Sequence, residues 1–215
     1  TLGSDGCGFV EECPDNPDLI GQEVIICPTL HWGDNPLHQN PDFQILGMPT
    51  DGTFAQEVVV PIENLFSKPP HLNVEEAAAL PLAGLTAWRA ISSRANLQRR
   101  ERILITGIGG GTAIFALQFA LAIGAEAYVT SSSTAKLTRA KELGATGGVL
   151  YTDEHWAKSL QQQVPTGFDP GLLYSSRNHP RSLQLTVYGA SDALGFSGIT
   201  LADLKQIVAP NQIGV

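Results

Sequence analysis

Residues 103–113 read Ile103-Leu104-Ile105-Thr106-Gly107-Ile108-Gly109-Gly110-Gly111-Thr112-Ala113, an apolar run that passes through four glycines into a second apolar run. A pyrophosphate needs backbone that no side chain shields, and the partial positive charge at a helix N-terminus holds it there. Glycine-rich turns also serve as plain corners. This one stands where a strand should turn into a helix and is followed by a complete βαβ pattern, the context that a dinucleotide site requires.

The next strand should end at Tyr128-Val129-Thr130-Ser131-Ser132-Ser133. Sites that prefer NAD place an acid here, about 20 residues beyond the glycines, on the ribose 2′-hydroxyl. No acid is present. Ser131 and Ser132, followed by Lys136 and Arg139, instead offer hydrogen bonds and positive charge to a 2′-phosphate, which favours NADP over NAD. The competing reading is a solvated helix start with Ser133 or Thr134 as its N-cap.

Cys7, Cys13, Cys27, His31 and His38 invite a zinc reading, but structural zinc needs close pairs such as C-x2-C, and none occurs. Cys27 is expected to pack beside the strand that precedes it. His31, next to Trp32, should shape a loop or pocket wall. A serine hydrolase is disfavoured because there is no G-x-S-x-G elbow.

The chain that must position these groups has 215 residues, enough for one large or two small domains with a real core. Hydrophobic residues make up 43% and charged residues 16%, the balance of an ordinary globular protein rather than a disordered or fibrous one. A net charge of −8 argues against nucleic acid and anionic membrane as partners. No apolar stretch reaches the roughly 18 to 20 residues that span a bilayer. Three cysteines form no disulfide framework, which makes a cytoplasmic location the expectation. With no initiator Met and no signal peptide, the native start is expected to lie before Thr1.

The organisation follows from periodicity and turn residues. Residues 1–70 are rich in Gly, Pro, Asn and Asp between β-branched runs at 9–10, 24–26 and 54–60, the last following Asp51-Gly52 and stopping at Pro61. Residues 26–51 contain a long polar loop or small lobe. Asn73 caps a predicted helix over 74–80, and a second runs over 84–93. Strands at 103–106, 127–130 and 148–151 then alternate with helices at 112–123, 134–143 and 153–163. This implies an α/β fold, a parallel sheet covered by helices on both faces. Residues 168–182 are irregular, with a possible strand at 183–188 and a last helix at 202–208.

The segments Gly3-Ser4-Asp5-Gly6-Cys7-Gly8, Gly52-Thr53-Phe54-Ala55-Gln56-Glu57-Val58-Val59-Val60-Pro61, Ala77-Ala78-Ala79-Leu80-Pro81-Leu82-Ala83-Gly84-Leu85-Thr86-Ala87-Trp88 and Ile105-Thr106-Gly107-Ile108-Gly109-Gly110-Gly111 resemble the medium-chain dehydrogenase/reductase superfamily. They look most like its zinc-independent, quinone-oxidoreductase-like branch, over about residues 2–168. The resemblance implies a GroES-like β domain at 1–72, lacking its first strands, and a doubly wound Rossmann domain at 73–215. NADP(H) and substrate would meet in a cleft between them. Ser4 stands where zinc alcohol dehydrogenases carry a metal-binding His, and Leu82 lies near their metal-binding Cys, so neither can hold zinc as its counterpart does. Thr86 matches a residue beside the nicotinamide. Gly110, Gly111 and Thr112 match the phosphate turn, joined by Gly109 of the same glycine run, and Ser132, Lys136 and Tyr151 match the neighbourhood of the 2′-phosphate. Residues 169–174 depart from the pattern, while Val187-Tyr188-Gly189-Ala190 is similar to the family's next strand.

The implied activity is hydride transfer between NADP(H) and a quinone, an enone or an aldehyde/alcohol, without zinc. Thr86 and His31 are the candidate proton donors, each competing with a role in positioning or packing alone. A small-molecule carbonyl or quinone is the expected partner, with a homodimer as a further expectation from the resemblance. The alternative is a non-catalytic nucleotide-binding protein or an inactive, truncated member of the family.

Overall fold

The computed structural model describes residues 1–35 and 38–164. The expectations for residues 168–215 lie outside the described residues. The chain divides into two compact units, Thr1–Leu85 and Thr86–Val215. The 72/73 boundary expected from the sequence therefore falls within the first unit.

In the first unit, strands β1 (Cys7–Phe9), β2 (Glu23–Ile26) and β5 (Leu65–Ser67) form an antiparallel sheet in the order β1-β2-β5. Strands β3 (Thr29–Leu30) and β4 (Gln44–Ile45) form a separate antiparallel pair. Side chains alternate along β2, so Val24 and Ile26 are buried while Glu23 and Ile25 are only half covered. Ile26, Leu30 and Leu46 make a small core, with Val58, Val60 and Leu65 packed on it. Buried Asn64 ties the two sheets together: its side-chain amide donates to Cys27 O and Thr29 O, each at 2.8 Å. Cys27 is half buried beside β2, as expected.

The strand expected over 54–60 is not formed. The covered side chains do alternate as in a strand, since Val58 and Val60 reach the core while Val59 is 97% exposed. Alternation, however, reports which side chains are covered and cannot supply a neighbouring strand for the backbone. Bonds to another segment occur just before this stretch, where the Gly52, Thr53 and Phe54 amides donate to the carbonyls of Thr1, Gly3 and Leu2. Here two backbones cross so closely that a Cβ on Gly52 would stand 2.1 Å from Gly3 O.

The predicted Asn73 cap is present. Its side chain accepts from Glu76 N, and the Glu76 carboxylate accepts in return from Asn73 N, closing a capping box at the start of helix α1 (Val74–Ala78). Pro81 opens a new helix, α2 (Pro81–Trp88), as suits its fixed φ and missing N–H. The helix then continues as a π-helical turn over Arg89–Arg94.

In the second unit, β6 (Arg102–Ile105), β7 (Glu126–Ser131) and β8 (Gly147–Leu150) form a parallel sheet in the order β6-β7-β8. They alternate with α3 (Gly111–Ile123), α4 (Thr134–Glu142) and α5 (Trp156–Gln163). Both faces are covered. Ile103, Ile105, Ala127 and Val129 pack with Leu117 and Ala120 of α3 and Leu137 and Ala140 of α4. The alternate residues Leu104, Tyr128 and Val149 face Leu160 and Trp156 of α5. Ala116, Leu117 and Ala120 of α3 are buried, and its other residues are half covered or exposed. Its C-terminus closes on Gly124 in the left-handed region.

Candidate cofactor site

The site is built at the carboxyl ends of the parallel strands, where open α/β sheets take their ligands. β6 leads into the glycine turn, and two bonds pin that turn to the end of β7. Ile108 N–H donates to Thr130 O at 2.8 Å, and Gly107 N–H donates to Thr130 Oγ1 at 3.2 Å. Thr130 is buried, and its role was missed from the sequence. The signal available was a hydroxyl residue near the end of the strand.

The pinned turn aims the start of α3 outward. Gly110 is its N-cap and has no side chain to fold back, and the first bond along the helix runs from Ile114 N–H to Gly110 O at 3.0 Å. The amides of Gly111, Thr112 and Ala113 thus lie in the turn that has no partner within the helix. Gly109, Gly110, Gly111 and Thr112 are all exposed. This thirteen-residue helix, with its dipole and exposed backbone amides, has the chemistry of an anion-binding end.

Gly109 has φ +125°, a conformation that suits glycine, and the Lys136 side chain lies across it. A Cβ there would meet lysine Cδ at 2.6 Å and Nζ at 3.1 Å. Lys136 thus reaches from the first turn of α4 back over the glycine turn. Arg139, the other base considered, pairs instead with Glu142 at 3.0 Å on the exposed face of α4.

Ser131 and Ser132 separate in environment. Ser131 is 2% exposed, and its hydroxyl donates to Ile108 O at 3.5 Å and accepts from Ser133 N–H at 3.1 Å. It therefore braces the turn and the start of α4. Ser133 is the N-cap of α4; its own side chain makes no capping bond, and its amide is held by Ser131. Ser132 is exposed. Tyr151, just past β8, is half exposed, and its amide donates to Ser131 O at 3.0 Å.

The structure brings Gly109 and Lys136 together, and Ser131 and Tyr151. Thr86 lies exposed on α2. His31 belongs to the first unit, exposed and in the left-handed region at φ 56°. Nearby, Trp32 Nε1 donates to Asn35 O at 3.0 Å and the Trp32 ring meets Phe43 edge to face at 5.3 Å, a packed loop as expected.

A second group that the sequence left unremarked is Asp5. Its carboxylate accepts from Leu82 N–H at 2.6 Å. Burial raises its pKa above the ordinary carboxylate value, and the bond from Leu82 opposes that rise without cancelling it.

Ser4 and Leu82, which the resemblance sets at zinc-ligand positions, are not among the usual zinc ligand types. Among the described residues, no three His, Cys, Asp or Glu side chains stand together as a metal site would require. A dinucleotide does fit, because the exposed glycine turn ends in a helix N-terminus with a lysine lying over it. Among the described residues no helix is long and apolar enough to cross a membrane.

No protein-family model matches the sequence. The chain is 41% identical over 178 residues to the zinc-type alcohol dehydrogenase-like protein YogA of Leptosphaeria maculans, covering 75% of this chain and 49% of that protein. It is 29% identical over 219 residues to a quinone oxidoreductase of Pseudomonas aeruginosa, covering 95% of this chain and 60% of that one. Among solved structures, an NAD-dependent alcohol dehydrogenase matches with a TM-score of 0.71 and 37% identity, over 75% of this chain and half of that chain. The chain spans about half the length of the curated relatives it matches first.

Proposed function

Because the chain belongs to the medium-chain dehydrogenase/reductase superfamily, with its GroES-like and Rossmann architecture, we propose that it is an NADP(H)-dependent oxidoreductase acting on a quinone, an enone or an aldehyde/alcohol without zinc. The observation that carries the reading is Lys136 lying across Gly109. It sets a cation beside the phosphate turn at the strand end where an NAD site would present an acid.

Each residue has a separate task. The amides that open α3, at Gly111 and Thr112, take the pyrophosphate, and Gly109 and Gly110 let it approach. Lys136 takes the 2′-phosphate with Ser132 and Tyr151 beside it, and Ser131 holds the loop from below. When bound, the nicotinamide supplies the hydride. Thr86 orients the ring and the acceptor through its hydroxyl, and hydrogen bonds there stabilise developing negative charge on the acceptor oxygen. His31 is assigned to loop packing rather than proton transfer. Two copies of the chain forming a homodimer, and a cytoplasmic setting, complete the proposal.

The test is a fluorescence titration with NADPH, followed by an NADPH oxidation assay with 9,10-phenanthrenequinone or an enone. Saturable binding with turnover supports the reading. Binding with no oxidation of any acceptor replaces it with the alternative, a nucleotide-binding protein without turnover.

A further inference from the structure

We propose that Asp5 is a positioning residue for Thr86, acting through the N-terminus of α2; this rests on the oxidoreductase reading above. Helix α2 opens with Pro81, which has no N–H, and is preceded by Leu80, whose side chain has no oxygen to cap the first turn. Asp5 supplies that oxygen from 77 residues away, accepting from Leu82 N–H at 2.6 Å. Leu82 and Thr86 are four residues apart, so they stand on the same face of the helix, one turn from each other. Holding the Leu82 amide therefore sets both the rotation and the axial position of the turn that presents Thr86.

The anchor is itself held. The Asp5 carbonyl accepts a hydrogen bond from Thr53 Oγ1, and the neighbouring Gly6 is tightly packed, since a Cβ there would meet Ile26 Cδ1 at 3.0 Å and Thr53 Cγ2 at 3.1 Å. The carboxylate thus projects from a fixed backbone toward the helix end. A short, fixed acceptor is what such a role needs. A longer or displaced one would let α2 slide, and displacements of about 1 Å at a reacting group cost up to a hundred-fold in rate.

The experiment compares wild type with Asp5→Ala and Asp5→Asn by three measurements: NADPH binding by fluorescence, acceptor turnover at saturating NADPH, and amide hydrogen exchange over 82–86. Asp5→Asn keeps an acceptor oxygen at the same reach, and Asp5→Ala removes it. The expected result is that Asp5→Ala lowers kcat/KM for the acceptor by about ten-fold to a hundred-fold, speeds exchange in the first turn of α2, and changes NADPH affinity by less than about three-fold. Asp5→Asn should recover most of both losses. Should Asp5→Ala fail to fold, Asp5→Ser serves in its place, since its oxygen is too short to reach. Unchanged turnover despite faster exchange overturns the positioning role, as does a loss in Asp5→Asn equal to that in Asp5→Ala. A wild-type protein that oxidises no NADPH overturns the functional reading instead, and the exchange data then decide by themselves whether Asp5 holds α2.

Discussion

The aliphatic end of Lys136 occupies the space that a side chain at Gly109 would need, with Cδ 2.6 Å and Nζ 3.1 Å from the position of a glycine Cβ. The absence of a side chain at one residue thus determines where the charge of the other can rest. Gly109→Ala should therefore fail twice, through strain at φ +125° and through displacement of the lysine. We expect a loss of about 1 to 3 kcal/mol in stability by urea melting and weaker NADPH binding in the variant that remains folded.

Lys136→Ala should discriminate between cofactors. A partly exposed charge-assisted contact to a 2′-phosphate is worth about 1.5 to 3 kcal/mol, so NADPH should weaken roughly ten-fold to a hundred-fold while NADH changes little. Titration of both cofactors by fluorescence checks this. Equal weakening of the two would mean that the lysine acts on the fold or on the general field.

Ser131→Asp should turn preference toward NADH by repelling a 2′-phosphate, but at a cost in stability. The carboxylate can still accept from Ser133 N–H but cannot donate to Ile108 O, and it enters a site that is 2% exposed. A lower melting temperature together with a raised NADH/NADPH affinity ratio is the expected pair of outcomes. A lower melting temperature with an unchanged ratio would confine Ser131 to bracing.

The purified protein should hold well under one zinc per chain, because Ser4 and Leu82 stand at the matched ligand positions. Elemental analysis after mild chelation tests this, and a stoichiometric, chelation-resistant zinc would contradict it.

Asp5 should make stability depend on pH in an unusual direction for a carboxylate. Burial raises its folded pKa above the unfolded value of 3.8, so the native state binds more protons than the unfolded state just above that pH. The Asp5 contribution therefore decreases as pH rises from 3.8 through the folded value. In Asp5→Asn this component should vanish. Paired urea melts at pH 4 and pH 6 should show a larger acid-side advantage in wild type than in the variant, and identical differences would refute the assignment.

The second unit was the more legible part of the chain, because each of its signals is local. The strand expected at 103–106 forms as Arg102–Ile105, and the helix expected at 112–123 as Gly111–Ile123, since apolar period and glycine punctuation both act within a few residues. Orientation was not legible at Ser131. Its place at the strand end could be read, but not that its hydroxyl turns inward to Ile108. The first unit hid more. The Val58–Val60 alternation resembles a strand, yet strand pairing depends on a neighbour that no local pattern reveals. The Asp5 cap was invisible for the same reason, because a helix end satisfied from 77 residues away leaves no mark near the helix.

That same remoteness bears on how the first unit is assembled. Gly52 N–H meets Thr1 O, Asn64 meets Cys27 O across a separation of 37, and Asp5 meets Leu82 across 77. Each contact closes a long loop before it yields any stabilisation, whereas the paired strands of the second unit stand 19 to 24 residues apart. The first unit should accordingly be the slow step of refolding. Its segments would consolidate together and late.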